Sequence, residues 1–139
     1  MRYLALLAGL MAGPAAAWDF SPEPICTLRL EGPVAVEVTY DARLPEYAIH
    51  ITRPGGWPEG PVFALRFEGP RGLMISTDRH VVEGETLSVR DSGFGNVLAG
   101  LQYNERAVAL LGDAAVPFDL SGAGPAVEAF RACPVVPSV

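Results

Sequence analysis

From Cys26 onward, apolar and polar residues alternate with a period of two, as they do in strands that bury one face. Cys26, Leu28 and Leu30 oppose Thr27, Arg29 and Glu31, and Val34, Val36, Val38 and Tyr40 oppose Ala35, Glu37 and Thr39. Gly32-Pro33 between the two runs is a turn, so they form a hairpin. Tyr47, Ile49 and Ile51 then alternate with Ala48, His50 and Thr52, and Phe63, Leu65 and Phe67 with Ala64, Arg66 and Glu68. Shorter strands are expected at 72–77, at 80–82, at 86–90 with Leu87 and Val89 inward, and at 107–111. A tight turn at Gly112-Asp113 leads into a last strand over 114–120, which Pro117 places at a sheet edge because proline cannot donate to a ladder.

The period changes twice. Phe94, Val97, Leu98 and Leu101 fall at i, i+3, i+4 and i+7, which predicts a short helix over about 94–101 with Asp91 or Ser92 as its cap. Ala123, Val127, Phe130 and Cys133 lie near one face of a second helix over about 124–132, with Pro125 in its first turn and Pro134 stopping it. Strands at near-regular spacing with two short helices predict an all-β fold, an antiparallel sandwich or barrel of about eight or nine strands. Residues 18–24 and 135–139 read as tails.

The first 17 residues change the picture from fold to address. Arg2, an apolar run from Tyr3 to Met11 and the small residues Ala15-Ala16-Ala17 resemble a secretory signal peptide cut before Trp18. The run is shorter than the roughly 20 residues a membrane-spanning helix needs. Residues 18–139 are then one exported β-rich domain with no membrane span, in the periplasm or secreted. Two cysteines in such a chain pair as Cys26–Cys133, the alternatives being an intermolecular bridge or two thiols. Closing a loop of roughly 100 residues contributes on the order of 4–5 kcal/mol in the chain-entropy model.

Charge narrows the partners. The chain has ten arginines, no lysine and a net charge of −6, so it repels phosphate backbones and no nucleic-acid partner is expected. There is no phosphate-binding G-x-x-x-x-G-K-[ST] loop, no H-E-x-x-H, no C-x-x-C and no EF-hand loop, so neither a cofactor nor a metal is expected. Asp78 and His80 are the only local pair of metal-type ligands. Ser76, Asp78, His80 and His50 supply residue types for a hydrolytic triad, but they lack a G-x-S-x-G elbow.

Asp91-Ser92-Gly93, followed by Leu110-Leu111-Gly112, resembles the signature of retroviral-type aspartic proteases, which makes Asp91 the one catalytic candidate. The better binding candidate is the connection from Arg53 to Pro61, a proline-framed loop presenting Trp57. Arg53, Glu59 and Arg66, with Arg71, would give it a polar rim. Alternatively, Trp57 folds back to cover the end of the sheet.

The runs 88–98 (SVRDSGFGNVL), 116–123 (VPFDLSGA) and 126–134 (AVEAFRACP) resemble small exported proteins of alphaproteobacteria with no established function. The tail, a strand with a proline followed by a glycine and an alanine-rich helix, is similar to the invasion-associated locus B family, and Trp18 matches its opening tryptophan. That similarity implies a periplasmic β-sandwich and no particular site residue. Cys26-Thr27-Leu28-Arg29-Leu30 also resembles the start of bacterial periplasmic metalloprotease inhibitors. The expectation is a non-catalytic binding module for a protein or small-molecule partner, with protease inhibition, or hydrolysis by Asp91, as the alternatives.

Overall fold

The structure, a computed structural model, describes residues 17–133. Most of the expected signal peptide, Pro134 and the expected 135–139 tail lie outside those residues. In chain order the elements are β1 (Trp18–Ser21), β2 (Cys26–Leu30), β3 (Ala35–Asp41), β4 (Glu46–Thr52), β5 (Phe63–Glu68), β6 (Leu73–Thr77), β7 (Val81–Glu83) and β8 (Thr86–Asp91). They are followed by α1 (Gly95–Tyr103), β9 (Arg106–Leu111), β10 (Ala114–Asp119) and α2 (Ala123–Ala132). The strands form two antiparallel sheets ordered β1-β2-β3-β4-β8-β7 and β10-β9-β5-β6. The fold is therefore a sandwich and not a closed barrel.

Alternation fixes which face of each sheet turns inward. Leu28, Leu30, Val36, Val38, Ile49, Ile51 and Leu87 of the six-stranded sheet meet Phe63, Leu65, Phe67, Ala107, Ala109, Leu111, Val116 and Phe118 of the other. Register keeps these sets aligned across strands: Val38 pairs with Ile49 and Ile49 with Val89, while Leu65 pairs with both Ile75 and Ala109.

The strand beyond the expected count is β1. In place of a tail, Trp18 to Ser21 pairs with β2 from Trp18↔Leu30 to Ser21↔Thr27. Trp18 is buried because its indole meets Phe118, with ring centroids 6.4 Å apart, and its Nε1–H donates to the Asp119 carbonyl at 2.9 Å. That partner lies 101 residues downstream.

The helices lie where the pattern places them, with ends displaced by up to two residues. α1 has no side-chain cap: its N-cap is Phe94, and Asp91 turns its Oδ1 to the Ser92 N–H instead. The capping expectation for Asp91 and Ser92 is thereby corrected, because β8 runs on through Asp91 and the chain needs Ser92 and Gly93 to reach the helix. Gly100 sits against Phe67 so closely that an added Cβ would lie 2.5 Å from the ring. Asn104 ends α1 by exchanging hydrogen bonds with both backbone groups of Arg71 and donating to the Gly100 carbonyl. α2 packs on α1, β1 and β2, and Cys133 after it is bonded to Cys26 at the start of β2, 107 residues earlier. An aromatic cluster of Tyr40, Tyr47, Phe94, Phe130 and Phe20 fills this end of the sandwich.

Candidate functional site

The two sheets do not meet along their whole length. Between β8 and β6 they stand apart, leaving a cleft of about 470 Å³ floored by Ile49, Leu65, Phe63, Ile75, Val89 and Phe94. The size falls within the range of about 300–1,000 Å³ typical of small-molecule sites. Ile75 and Val89 face inward by register and pack against the core, yet both stay partly exposed where they line the cleft.

Polar groups collect at the rim. Ser76 and Thr77 come from the end of β6, Asp91 from the end of β8, and Gly93 to Val97 from the entry to α1. A Cβ added at Gly93 or Gly95 would meet nothing, which is consistent with chain that borders open space. The first intrahelical bond at this end runs from the Leu98 N–H to the Phe94 carbonyl. The Gly95, Asn96 and Val97 N–H groups have no intrahelical acceptor. Asp91 is also reached from outside the cleft: Arg79, in the crossover after β6, brings Nη2 to 3.5 Å from Asp91 Oδ2.

The expected binding residues divide between two places. Arg53 and Trp57 come together, with the guanidinium 5.4 Å from the indole centroid. The indole turns back on the sheet end, where Nε1–H is shared between the Ile51 and Glu85 carbonyls at 3.2 and 3.1 Å and the ring packs against the core. Glu59 borders a second hollow, of about 750 Å³, beside Trp57, Gly60, His80 and Leu111. His80 Nε2–H donates to the Gly60 carbonyl at 3.0 Å and thereby ties this loop to the β6–β7 crossover. Gly112 has a φ of +56°, and an added Cβ would lie 2.7 Å from the Glu59 carbonyl, so the β9–β10 turn closes tightly on the same loop. Arg66 belongs to β5, where Nε pairs with Glu68 Oε2 at 2.9 Å and Glu68 also meets Arg106. Arg71 stacks over Tyr103 at 4.4 Å.

The triad candidates are not assembled as a triad. His50 bonds Ser88 and not Ser76: Nδ1 lies 2.7 Å from Ser88 Oγ across the β4–β8 pair. Glu37 stands opposite His50 on β3, so Glu37, His50 and Ser88 make a row across three strands. Burial, reinforced by Arg90 and partly opposed by Glu37, holds the His50 imidazole below its ordinary pKa. In acyl transfer the oxyanion is commonly held by converging backbone N–H groups. Those beside this row belong to strand ladders, so the row is a cross-strand polar contact. It went unseen in the sequence because it requires β4 to pair with β8 across 38 residues.

Among the described residues, no group of three His, Cys, Asp or Glu side chains is placed to hold a metal ion, and no helix is long and apolar enough to cross a membrane. Compared with protein-family models, curated proteins and solved structures, the chain matches none.

Proposed function

We propose that the protein is a non-catalytic binding module, periplasmic or secreted, that takes a small apolar molecule into the cleft between β6 and β8. The observation that carries this reading is the pair of inward-facing residues Ile75 and Val89, left partly exposed in a cleft of about 470 Å³. A sandwich gains by bringing such faces together, since apolar area contributes roughly 25 cal/mol per Å² when it leaves water. Walls held apart are a natural seat for a ligand that completes the burial. The compartment is supported by the signal-peptide pattern, by the Cys26–Cys133 disulfide and by the resemblance to small exported proteins.

Fluorescence titration with N-phenyl-1-naphthylamine, a neutral apolar probe, tests the reading. Saturable enhancement is expected for the oxidised protein. Val89→Trp, which fills the cleft, should abolish it, whereas Trp57→Ala should leave it within about twofold, an energy difference of roughly 0.4 kcal/mol. Enhancement that survives Val89→Trp and is lost in Trp57→Ala would move the site to the 53–61 loop.

A further inference from the structure

The cleft's mouth carries more chemistry than an apolar probe would use. Among the described residues, Asp91 is the only charged one that lines it, and Arg79, from the crossover between β6 and β7, stands 3.5 Å away. Both side chains remain accessible, at 45% and 68% exposure respectively. A guanidinium therefore stands beside the Asp91 carboxylate where that carboxylate borders the apolar cleft, and each has hydrogen-bonding capacity to spare. Ser92 N–H occupies Oδ1 of Asp91 at 2.7 Å and leaves Oδ2 toward Arg79 and the mouth. An exposed pair of this kind contributes little to folding, typically 0–1 kcal/mol, so inserting a ligand between the partners costs the fold little.

We propose that the ligand is a small apolar zwitterion of the α-amino-acid type, with its ammonium on Asp91, its carboxylate on Arg79 and its side chain on Ile75, Val89 and Phe94. The two ligand charges are a few ångströms apart, as are the two protein charges, so one molecule satisfies both partners of the pair it parts. A monovalent amine or acid can engage only one of the two and forgoes the second charge-assisted contact. The uncapped N–H groups at the entry to α1 border the same mouth and favour the carboxylate as well. This inference rests on the cleft being the binding site.

The test is isothermal titration of the oxidised full chain with L-phenylalanine and L-leucine. Their one-charge analogues are phenethylamine and 3-phenylpropionate, and 3-methylbutylamine and 4-methylpentanoate. At least one amino acid is expected to bind about tenfold or more tightly than both of its analogues. Asp91→Asn, which keeps an Oδ1 acceptor for the Ser92 N–H, should reduce amino-acid affinity about tenfold or more without weakening that of the carboxylate analogue. Arg79→Gln should do the converse. An analogue that binds as tightly as its amino acid overturns the inference. So does failure of every amino acid to saturate by about 10 mM while N-phenyl-1-naphthylamine still binds in a manner blocked by Val89→Trp; the cleft then remains a site for another class. If the neutral probe fails as well, the underlying reading of the cleft falls with the inference.

Discussion

The sandwich has two lateral seams, and they are built in opposite ways. Along the first, β1 and β10 are drawn together by the Trp18 indole on Phe118 and the Asp119 carbonyl, and α2 and the Cys26–Cys133 bridge lock the same side. Along the second, β8 and β6 stay apart around the cleft, with an exposed Arg79–Asp91 pair at its mouth. The seam that joins the ends of the domain carries covalent and buried contacts, and the other carries a cleft and an exposed ion pair. If the closed seam carries the stability, the open one is free to present apolar surface without unfolding the sheets, and that division can be measured.

The largest effect should come from breaking the closed seam covalently. Replacing Cys26 and Cys133 by alanine opens a closure spanning 107 residues, which should cost about 4–5 kcal/mol in the chain-entropy model. Denaturant unfolding of the variant against the oxidised protein reads this as a large fall in the midpoint, with a steeper slope because the uncrosslinked unfolded chain exposes more surface. A loss below about 1 kcal/mol would mean that α2 and β1 hold the seam without the bridge, and the contrast between the seams would lose its covalent half.

A matched pair of truncations gives the next largest contrast. Trp18→Ala removes a side chain only 7% exposed and should destabilise by about 3–5 kcal/mol. Ile75→Ala, on the half-exposed floor of the cleft, should cost about 1 kcal/mol, because much of its apolar surface already touches water. Thermal unfolding of the two variants provides the comparison. Equal losses would show that the open seam is packed in solution and would argue against an accessible cleft.

The two seams also differ in how far they can be read from the chain. The strands from β2 to β10 follow from alternation and from punctuation by glycine and other turn residues, because a period of two needs no knowledge of the partner. The disulfide follows from there being two cysteines in a chain whose opening residues read as an export signal. By contrast, β1 is four residues beside Pro22 and Pro24, and only an acceptor in β10 and a neighbour on β2 make it a strand. The cleft is further from reach, since it consists of space between strands that do not pair. Its local trace is the Gly93-Phe94-Gly95 run, where flanking glycines accompany an aromatic that stacks on Tyr47. Asp91 drew attention for its Asp-Ser-Gly context, but its position at a cleft mouth beside Arg79 depends on how β6 and β8 are set across the two sheets.

The smallest expected effect isolates the outer face of the six-stranded sheet, which belongs to neither seam. His50 is held below its ordinary pKa, chiefly by burial and secondarily by Arg90 on β8, with Glu37 on β3 opposing them. The unfolded chain then binds a proton at a higher pH than the folded one, so folding stability rises with pH through this window and is lost as pH falls below the unfolded value of about 6.5. The groups with depressed carboxylate pKa values, Asp41, Glu68 and Asp119, contribute stability that is present above about 4 and lost only below it. Their effect falls outside the range from pH 5 to 7. Urea midpoints for the parent protein should therefore decline modestly from pH 7 to pH 5, and His50→Gln, which retains a polar partner for Ser88, should flatten the decline. A slope that survives in His50→Gln would assign the pH dependence to groups other than this cross-strand contact, and the face would no longer serve as a reference independent of the seams.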